Sequence, residues 1–378
     1  MLDHIVGFRV GVTLCPWTAR YDLARPVLTR SIVAAPGALP MTSPASTRRS
    51  ISPAVLPEAW HGAATWTATP DGQQPWRVRP EHLERIMSAD VDELARIPNG
   101  VRLEVDTDAS ALEVALTTTE AYGDSARCLD VVVDGEPAAT REAGGSVSVR
   151  VELPGRPARV ELWLPHAAPT VLHEVALVGA TECVAAAARG PRWTVYGSSI
   201  TQCNQAESPT GTWPALVAAQ NSYDLTALGM SGQCQLDPPL AETIGASRPD
   251  LVTLCLGANI YGAATFTERS LPPAVIGFVD HVRRLTGAPI VIMSPTTAGP
   301  HREEERNSAD LDQREIRALI HRAVAMLQRH DPLITLIDGS EIVTGQEMHL
   351  LGDLLHPTAE GYRVMAERLA PRLASVLG

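Results

Sequence analysis

Trp193-Thr194-Val195-Tyr196-Gly197-Ser198-Ser199-Ile200-Thr201 runs from a largely apolar stretch, through a glycine, into a pair of hydroxyls. An apolar run of this length, closed by a glycine, reads as a strand covered on both faces. The same pattern repeats downstream. Strands are expected at 193–196, 224–228, 251–256, 290–293 and 334–337, separated by helical periodicities at 213–220, 274–285, 314–330 and 358–377. Strands alternating with helices imply a parallel, doubly wound sheet, and in such sheets reactive groups gather beyond the carboxyl ends of the strands.

Working outward from this block, the pattern changes upstream of Gly190-Pro191. Val101-Arg102-Leu103-Glu104-Val105, Leu129-Asp130-Val131-Val132-Val133, 147–153, 160–164 and 171–178 alternate with a period of two, as half-buried strands do. Asp134-Gly135 and Gly144-Gly145 are hairpin signals beside two of them. Many short strands without long helices predict an antiparallel β-sandwich. The expected class is therefore α/β, a C-terminal doubly wound parallel sheet preceded by an antiparallel β-sandwich domain. The expected division is an irregular extension over 1–58, a sandwich over 59–185 and a catalytic domain over 190–378.

The 378 residues carry a formal net charge of -12, with no lysine at all. That balance excludes the basic footprint of a nucleic-acid or anionic-membrane binder and points to a small-molecule partner. The six cysteines (Cys15, Cys128, Cys183, Cys203, Cys234, Cys255) have neither zinc-knuckle nor redox spacing, and buried free thiols are expected. The histidines show no ligand spacing, so no metal is expected. The first twenty residues lack the basic start and apolar run of an export signal, which leads to a cytoplasmic expectation.

Four segments fall at the carboxyl ends of strands or ahead of the last helix: Gly197-Ser198-Ser199-Ile200-Thr201, Gly229-Met230-Ser231-Gly232, Gly257-Ala258-Asn259 and Asp353-Leu354-Leu355-His356-Pro357. A hydroxyl nucleophile needs a base, an acid that orients the base, and donors for the developing oxyanion. A histidine three residues after an aspartate lets the carboxylate meet one ring nitrogen while the other faces a serine. Pro357 suits the first position of the closing helix.

Taken together and in this order, the four blocks resemble the SGNH, or GDSL-type, hydrolase superfamily over the whole C-terminal half. The resemblance implies a flavodoxin-like fold. It also implies Ser199 as nucleophile, Asp353 and His356 as its partners, and an oxyanion hole made by the Ser199 and Gly232 backbones with the Asn259 side chain. The family's usual Gly-Asp-Ser is here Gly197-Ser198-Ser199, which leaves two serines in play; Ile200, at the family's apolar position, favours Ser199. The first half looks like the carbohydrate-binding-module-like sandwich of some two-domain members.

Gln202, Cys203, Asn204 and Trp213 lie close enough in sequence to contact substrate, and Trp60, Trp66 and Trp76 are candidates to line a pocket, though a core role suits most tryptophans. The run His301-Arg302-Glu303-Glu304-Glu305-Arg306 reads as a solvated loop, or as arginines able to hold a donor phosphate. The expected activity is serine-dependent acyl transfer to a hydroxyl of a bulky metabolite, for which the resemblance to two-domain members implies a compound such as an aromatic polyketide. It would need no cofactor, with an acyl-CoA as co-substrate. The alternatives are an esterase acting on O-acyl groups and a sugar-binding protein with an inactive hydrolase domain.

Overall fold

Twelve short strands build the first half of the computed structural model, which describes residues 47–120 and 125–378. They are Arg48–Ser50 (β1), Trp60–His61 (β2), Thr65–Thr69 (β3), Gly72–Trp76 (β4), Arg102–Thr107 (β5), Ala111–Thr118 (β6), Cys128–Val133 (β7), Glu136–Glu142 (β8), Ser146–Glu152 (β9), Ala158–Trp163 (β10), Thr170–Val178 (β11) and Cys183–Ala185 (β12). One sheet has the order β3-β4-β11-β6-β9 with β1 on β11, and the other β12-β5-β10-β7-β8 with β2 on β5. The alternation seen in the sequence is the alternation of faces: Leu112, Leu116, Leu129, Leu162 and Val175 are fully buried between the sheets. Each such side chain contributes about 1.5–3 kcal/mol. Asp134 and Gly135 both take positive φ, at 53° and 85°, as a two-residue hairpin turn requires. Because β1 pairs with the end of β11 and Ile51 is buried, the sandwich includes residues ahead of 58, which the sequence assigned to an irregular extension. The rest of that extension, up to residue 46, lies outside the described residues.

Two short helices, Pro80–Leu83 (α1) and Ala89–Ala95 (α2), join β4 to β5. After β12 the chain enters a parallel sheet of Arg192–Gly197 (β13), Asp224–Gly229 (β14), Leu251–Cys255 (β15), Ile290–Met293 (β16) and Ile334–Ile337 (β17), in the order β14-β13-β15-β16-β17. The helices interspersed with it are Ser199–Gln202 (α3), Trp213–Asn221 (α4), Pro238–Ala246 (α5), Ala258–Ala263 (α6), Leu271–Leu285 (α7), Pro300–Glu304 (α8), Gln313–Leu327 (α9) and Ala359–Leu377 (α10). Strand order reverses between β13 and β15, and a crevice opens at such a switch point. The chain leaves β13 there directly into Ser198 and Ser199. Among the described residues, no helix is long and apolar enough to cross a membrane.

The two halves are not beads on a linker, since residues 46–378 form one compact unit. Strand β14 is an edge strand, and its outward carbonyls would be stranded without partners. Arginines from the sandwich half take them: Arg102 donates to the Leu225 oxygen at 3.0 Å, and Arg77 to those of Ala227 and Gly229 at 3.0 and 2.9 Å. The period-two reading of β5 therefore needs correction. Its supposedly solvated residues Arg102 and Glu104 are each 1% exposed, because the second face of the strand is buried as well. The charges survive there by pairing: Arg102 meets Glu104 at 2.6 Å and Asp224 at 2.7 Å, and Arg159 and Arg189 close on Glu104 from the other side.

Candidate active site

Ser199 opens the short helix α3, and its neighbour Ser198 caps it, the Ser198 hydroxyl accepting from the Ile200 N–H. The cap occupies Ser198, while the Ser199 hydroxyl lies 2.7 Å from His356 Nε2. The other ring nitrogen, Nδ1, is 2.7 Å from Asp353 Oδ2. Local backbone geometry holds this pair. Leu351 and Pro357 form a bridge, Gly352 N donates to the His356 oxygen at 2.9 Å, and Leu354 takes a φ of 63° to turn the chain between them. Asp353 Oδ1 accepts from the backbone N–H groups of both Leu355 and His356. Partial burial pushes the Asp353 carboxyl up, but these N–H groups and the His356 ring outweigh it and hold the group below its ordinary value. An ionised Asp353 fixes the ring with Nδ1 protonated and Nε2 free to accept the serine proton. Pro357 sits just ahead of the cap rather than in the helix; Thr358 caps α10, accepting from Gly361 N.

Ser199, Ser231, Gly232, Asn259, Leu355 and His356 are among the residues lining one cleft of about 430 Å³. Gly232 reaches it with a φ of 73° on the loop after β14. Asn259 follows Gly257, whose φ of 109° starts α6. The Asn259 Oδ1 accepts from Cys234 N at 3.0 Å, which fixes the amide orientation and leaves its NH2 group as the donor. Removing that donor with Asn259→Ala is expected to lower kcat about 10²- to 10³-fold with little change in fold. Steady-state ester turnover measures it, and an unchanged kcat removes Asn259 from the oxyanion site.

Gly229 marks where β14 touches α3, the helix that Ser199 begins. A Cβ there would lie 2.3 Å from the Gln202 N. Gly229→Ala must displace α3 or the strand, so a loss of kcat of about 10²-fold is expected from misplacement of roughly an ångström. Wild-type kcat in this variant would show that the contact tolerates the shift.

The structure redistributes the other candidates. Asn204 lines the cleft, its NH2 group donating to the Ser231 hydroxyl at 3.0 Å. Gln202 does not reach the cleft: it is fully buried, with its amide oxygen accepting from Arg77 and its NH2 donating to the His166 oxygen. Cys203 and Trp213 are equally buried, and the Trp213 indole donates to the Ile200 oxygen, supporting α3 from behind. Trp60 and Trp66 stack edge to face at 5.1 Å within the sandwich, and the Trp76 indole is held by Thr67. None of the three is among the cleft-lining residues. The run 301–306 is largely solvated, as expected, but partly helical rather than a loop. Glu303 is buried against Arg317 at 3.0 Å, Arg302 lies over the Tyr261 ring at 4.5 Å and donates to the Ala258 oxygen, and Arg306 pairs with Asp310 and Glu315. Its arginines are thus engaged within the chain. The five cysteines among the described residues are unpaired, and burial pushes the Cys128 and Cys255 thiols up to about 12; Cys15 lies outside the described residues.

Sequence reasoning missed Ser125, Gln205, Ser231 and Leu355 as cleft residues. Ser125 comes from the sandwich half, and no local pattern links it to the four blocks.

Residues 195–364 match the GDSL-like lipase/acylhydrolase family, and residues 58–173 match the SsfX3 N-terminal domain. The chain thus carries a GDSL-like acylhydrolase domain behind an SsfX3-type N-terminal domain, and it is an acyl-transferring or ester-hydrolysing enzyme. Among solved structures it is similar to the salicylyl-acyltransferase SsfX3 from a tetracycline biosynthetic pathway, at 27% identity over 88% of this chain and 98% of that one, with a TM-score of 0.79. It shares its fold with family two carbohydrate esterases from Clostridium thermocellum (15% identity, 84% of this chain and 99% of that one, TM-score 0.61) and Cellvibrio japonicus (14%, 88% and 98%, 0.62). No curated protein matches the sequence.

Proposed function

We propose that this enzyme moves an acyl group from a thioester such as an acyl-CoA to a hydroxyl of a bulky metabolite, through an acyl-enzyme on Ser199. The observation that carries the reading is the hydrogen-bonded relay from Ser199 through His356 to Asp353, opening on the cleft that Gly232 and Asn259 also line. Ser199 Oγ adds to the acyl carbonyl and passes its proton to His356 Nε2. The oxyanion is held by the Ser199 and Gly232 N–H groups and the Asn259 amide. On collapse the C–S bond breaks and the thiolate takes the proton from His356. The acceptor O–H then adds to the acyl carbon, giving its proton to His356, and a second collapse returns that proton to Ser199.

Likeness to a salicylyl-acyltransferase along nearly the whole chain supports transfer, and an aromatic polyketide is the acceptor class it suggests. Hydrolysis is the second reading, favoured by the openness of the relay: the Asp353 side chain is 55% exposed and that of His356 23%, so water can reach the acyl-enzyme. Intact-protein mass spectra after mixing with a panel of acyl thioesters decide between them. An adduct that persists in water and clears on adding a hydroxyl acceptor supports transfer. One that clears in water alone assigns an esterase, and no adduct or turnover with any donor sinks both.

A further inference from the structure

Among the described residues, Arg77 is a buried cation without a carboxylate partner. It is fully enclosed, and its five N–H donors all end on neutral oxygens: Ile97 at 2.5 Å, Leu94 at 2.7 Å, Ala227 at 3.0 Å, Gly229 at 2.9 Å and the Gln202 side chain at 3.1 Å. Burial pulls the guanidinium down to about 9, which leaves it charged at neutral pH. Enclosing such a charge is costly, and no other side chain reaches five separated carbonyls from one rigid plane.

The acceptors explain the arrangement. Leu94 and Ile97 lie at the end of the segment that includes α2, Ala227 and Gly229 lie at the end of the strand that leads to Gly232, and Gln202 ends the helix that Ser199 begins. A second residue from the same half acts on the same point: the Asn99 NH2 group donates to the Gln202 main-chain oxygen at 2.7 Å. The Gln202 amide donates in turn to the His166 oxygen. Gln202 is thus gripped through its main chain and both ends of its side chain by the sandwich half, three residues after Ser199. It is gripped where Gly229 leaves no room for a Cβ.

We propose that Arg77, with Asn99, is a positioning residue for acyl transfer: it sets the register between the helix bearing Ser199 and the strand bearing Gly232. This rests on the serine mechanism above. The first half then does more than cover a sheet edge, since it locks nucleophile and oxyanion donor together through a single guanidinium. Lysine keeps the charge but can satisfy only part of the set.

The test compares wild type, Arg77→Lys, Asn99→Ala and Ser199→Ala. It measures kcat and KM for p-nitrophenyl acetate, the rate of fluorophosphonate labelling at Ser199, and thermal unfolding. For folded Arg77→Lys, kcat and the labelling rate are expected to fall together by about 10²-fold with KM held within about threefold. Asn99→Ala should give a smaller loss with the same split. A merely structural role would lower the melting temperature while each folded molecule kept its kcat and labelling rate, and that result overturns the proposal. Should Arg77→Lys fail to fold, the Asn99→Ala split decides in the same way. Wild-type turnover by Ser199→Ala overturns the serine mechanism itself and this assignment with it, a pattern distinct from failure of the arginine variant alone.

Discussion

Ser199→Ala is expected to lower kcat by about 10⁴- to 10⁶-fold while leaving the fold intact, because removal of a hydroxyl nucleophile removes the covalent route altogether. The side chain is small and 8% exposed, and its hydroxyl bonds to His356, so little packing is lost. His356→Ala should lose about as much, and the double variant little more, since the pair acts as one unit. Turnover of an activated ester and the disappearance of the acyl adduct in intact mass spectra measure both. Ser198→Ala is the decisive companion. It should cost about 0.5–2 kcal/mol of stability, as loss of an N-cap does, with kcat nearly kept. A retained adduct in Ser199→Ala that vanishes in Ser198→Ala would assign the nucleophile to the neighbouring serine.

The second large effect concerns stability. Arg102→Met is expected to destabilise the protein by about 3 kcal/mol, measured by urea denaturation, because it removes the one guanidinium that pairs with both Glu104 and Asp224 and leaves the buried Glu104 to Arg159 and Arg189. Arg102 is 1% exposed and holds Glu104, Asp224 and the Leu225 carbonyl at once, so the loss reaches both sides of the contact between the halves. The same cluster sets the acid response. Burial alone would raise the Glu104 carboxyl, yet Arg102, Arg189 and Arg159 hold it at about 2. A depressed carboxylate contributes stability that is complete above its ordinary value of 4.5 and is lost as pH falls toward about 2. Wild type should therefore weaken across that window, and Arg102→Met should weaken less steeply there. Equal slopes would detach the cluster from acid unfolding.

Much of the catalytic half was legible before any coordinates. Strands β16 and β17 span the predicted residues 290–293 and 334–337, and β13, β14 and β15 fall within a residue of the expected limits, because parallel strands buried on both faces must be written as apolar runs. The helices at 238–246 and 258–263 went unread. Each opens with small or turn-forming residues, Pro238-Pro239 and Gly257-Ala258, which mask a short periodicity. In the site, Ser199, Gly232, Asn259, Asp353 and His356 all meet at one cleft, since each sits where a strand ends or the last helix begins. Gln202 and Trp213 were misplaced for an equally physical reason. Nearness in sequence to Ser199 does not say which way a side chain points: Gln202 is drawn to Arg77 and the His166 oxygen, and Trp213 to the Ile200 oxygen, partners that no local pattern announces.

The sequence by itself determined the periods, the turns and the residue types: an α/β sheet behind a sandwich, a serine after the first parallel strand, and an aspartate and histidine spaced to share one loop. These are local properties, carried by residues a few positions apart. Tertiary structure alone decided which serine meets His356, that Arg102 and Glu104 face inward, and that Arg77 joins α2, β14 and Gln202. Each of these includes a contact between residues distant in the chain, 157 positions apart for Ser199 and His356, 152 for Arg77 and Gly229 and 122 for Arg102 and Asp224. Such partners leave no mark in a period of two or 3.6; a charge on an alternating strand looks solvated until the chain that covers it is in place.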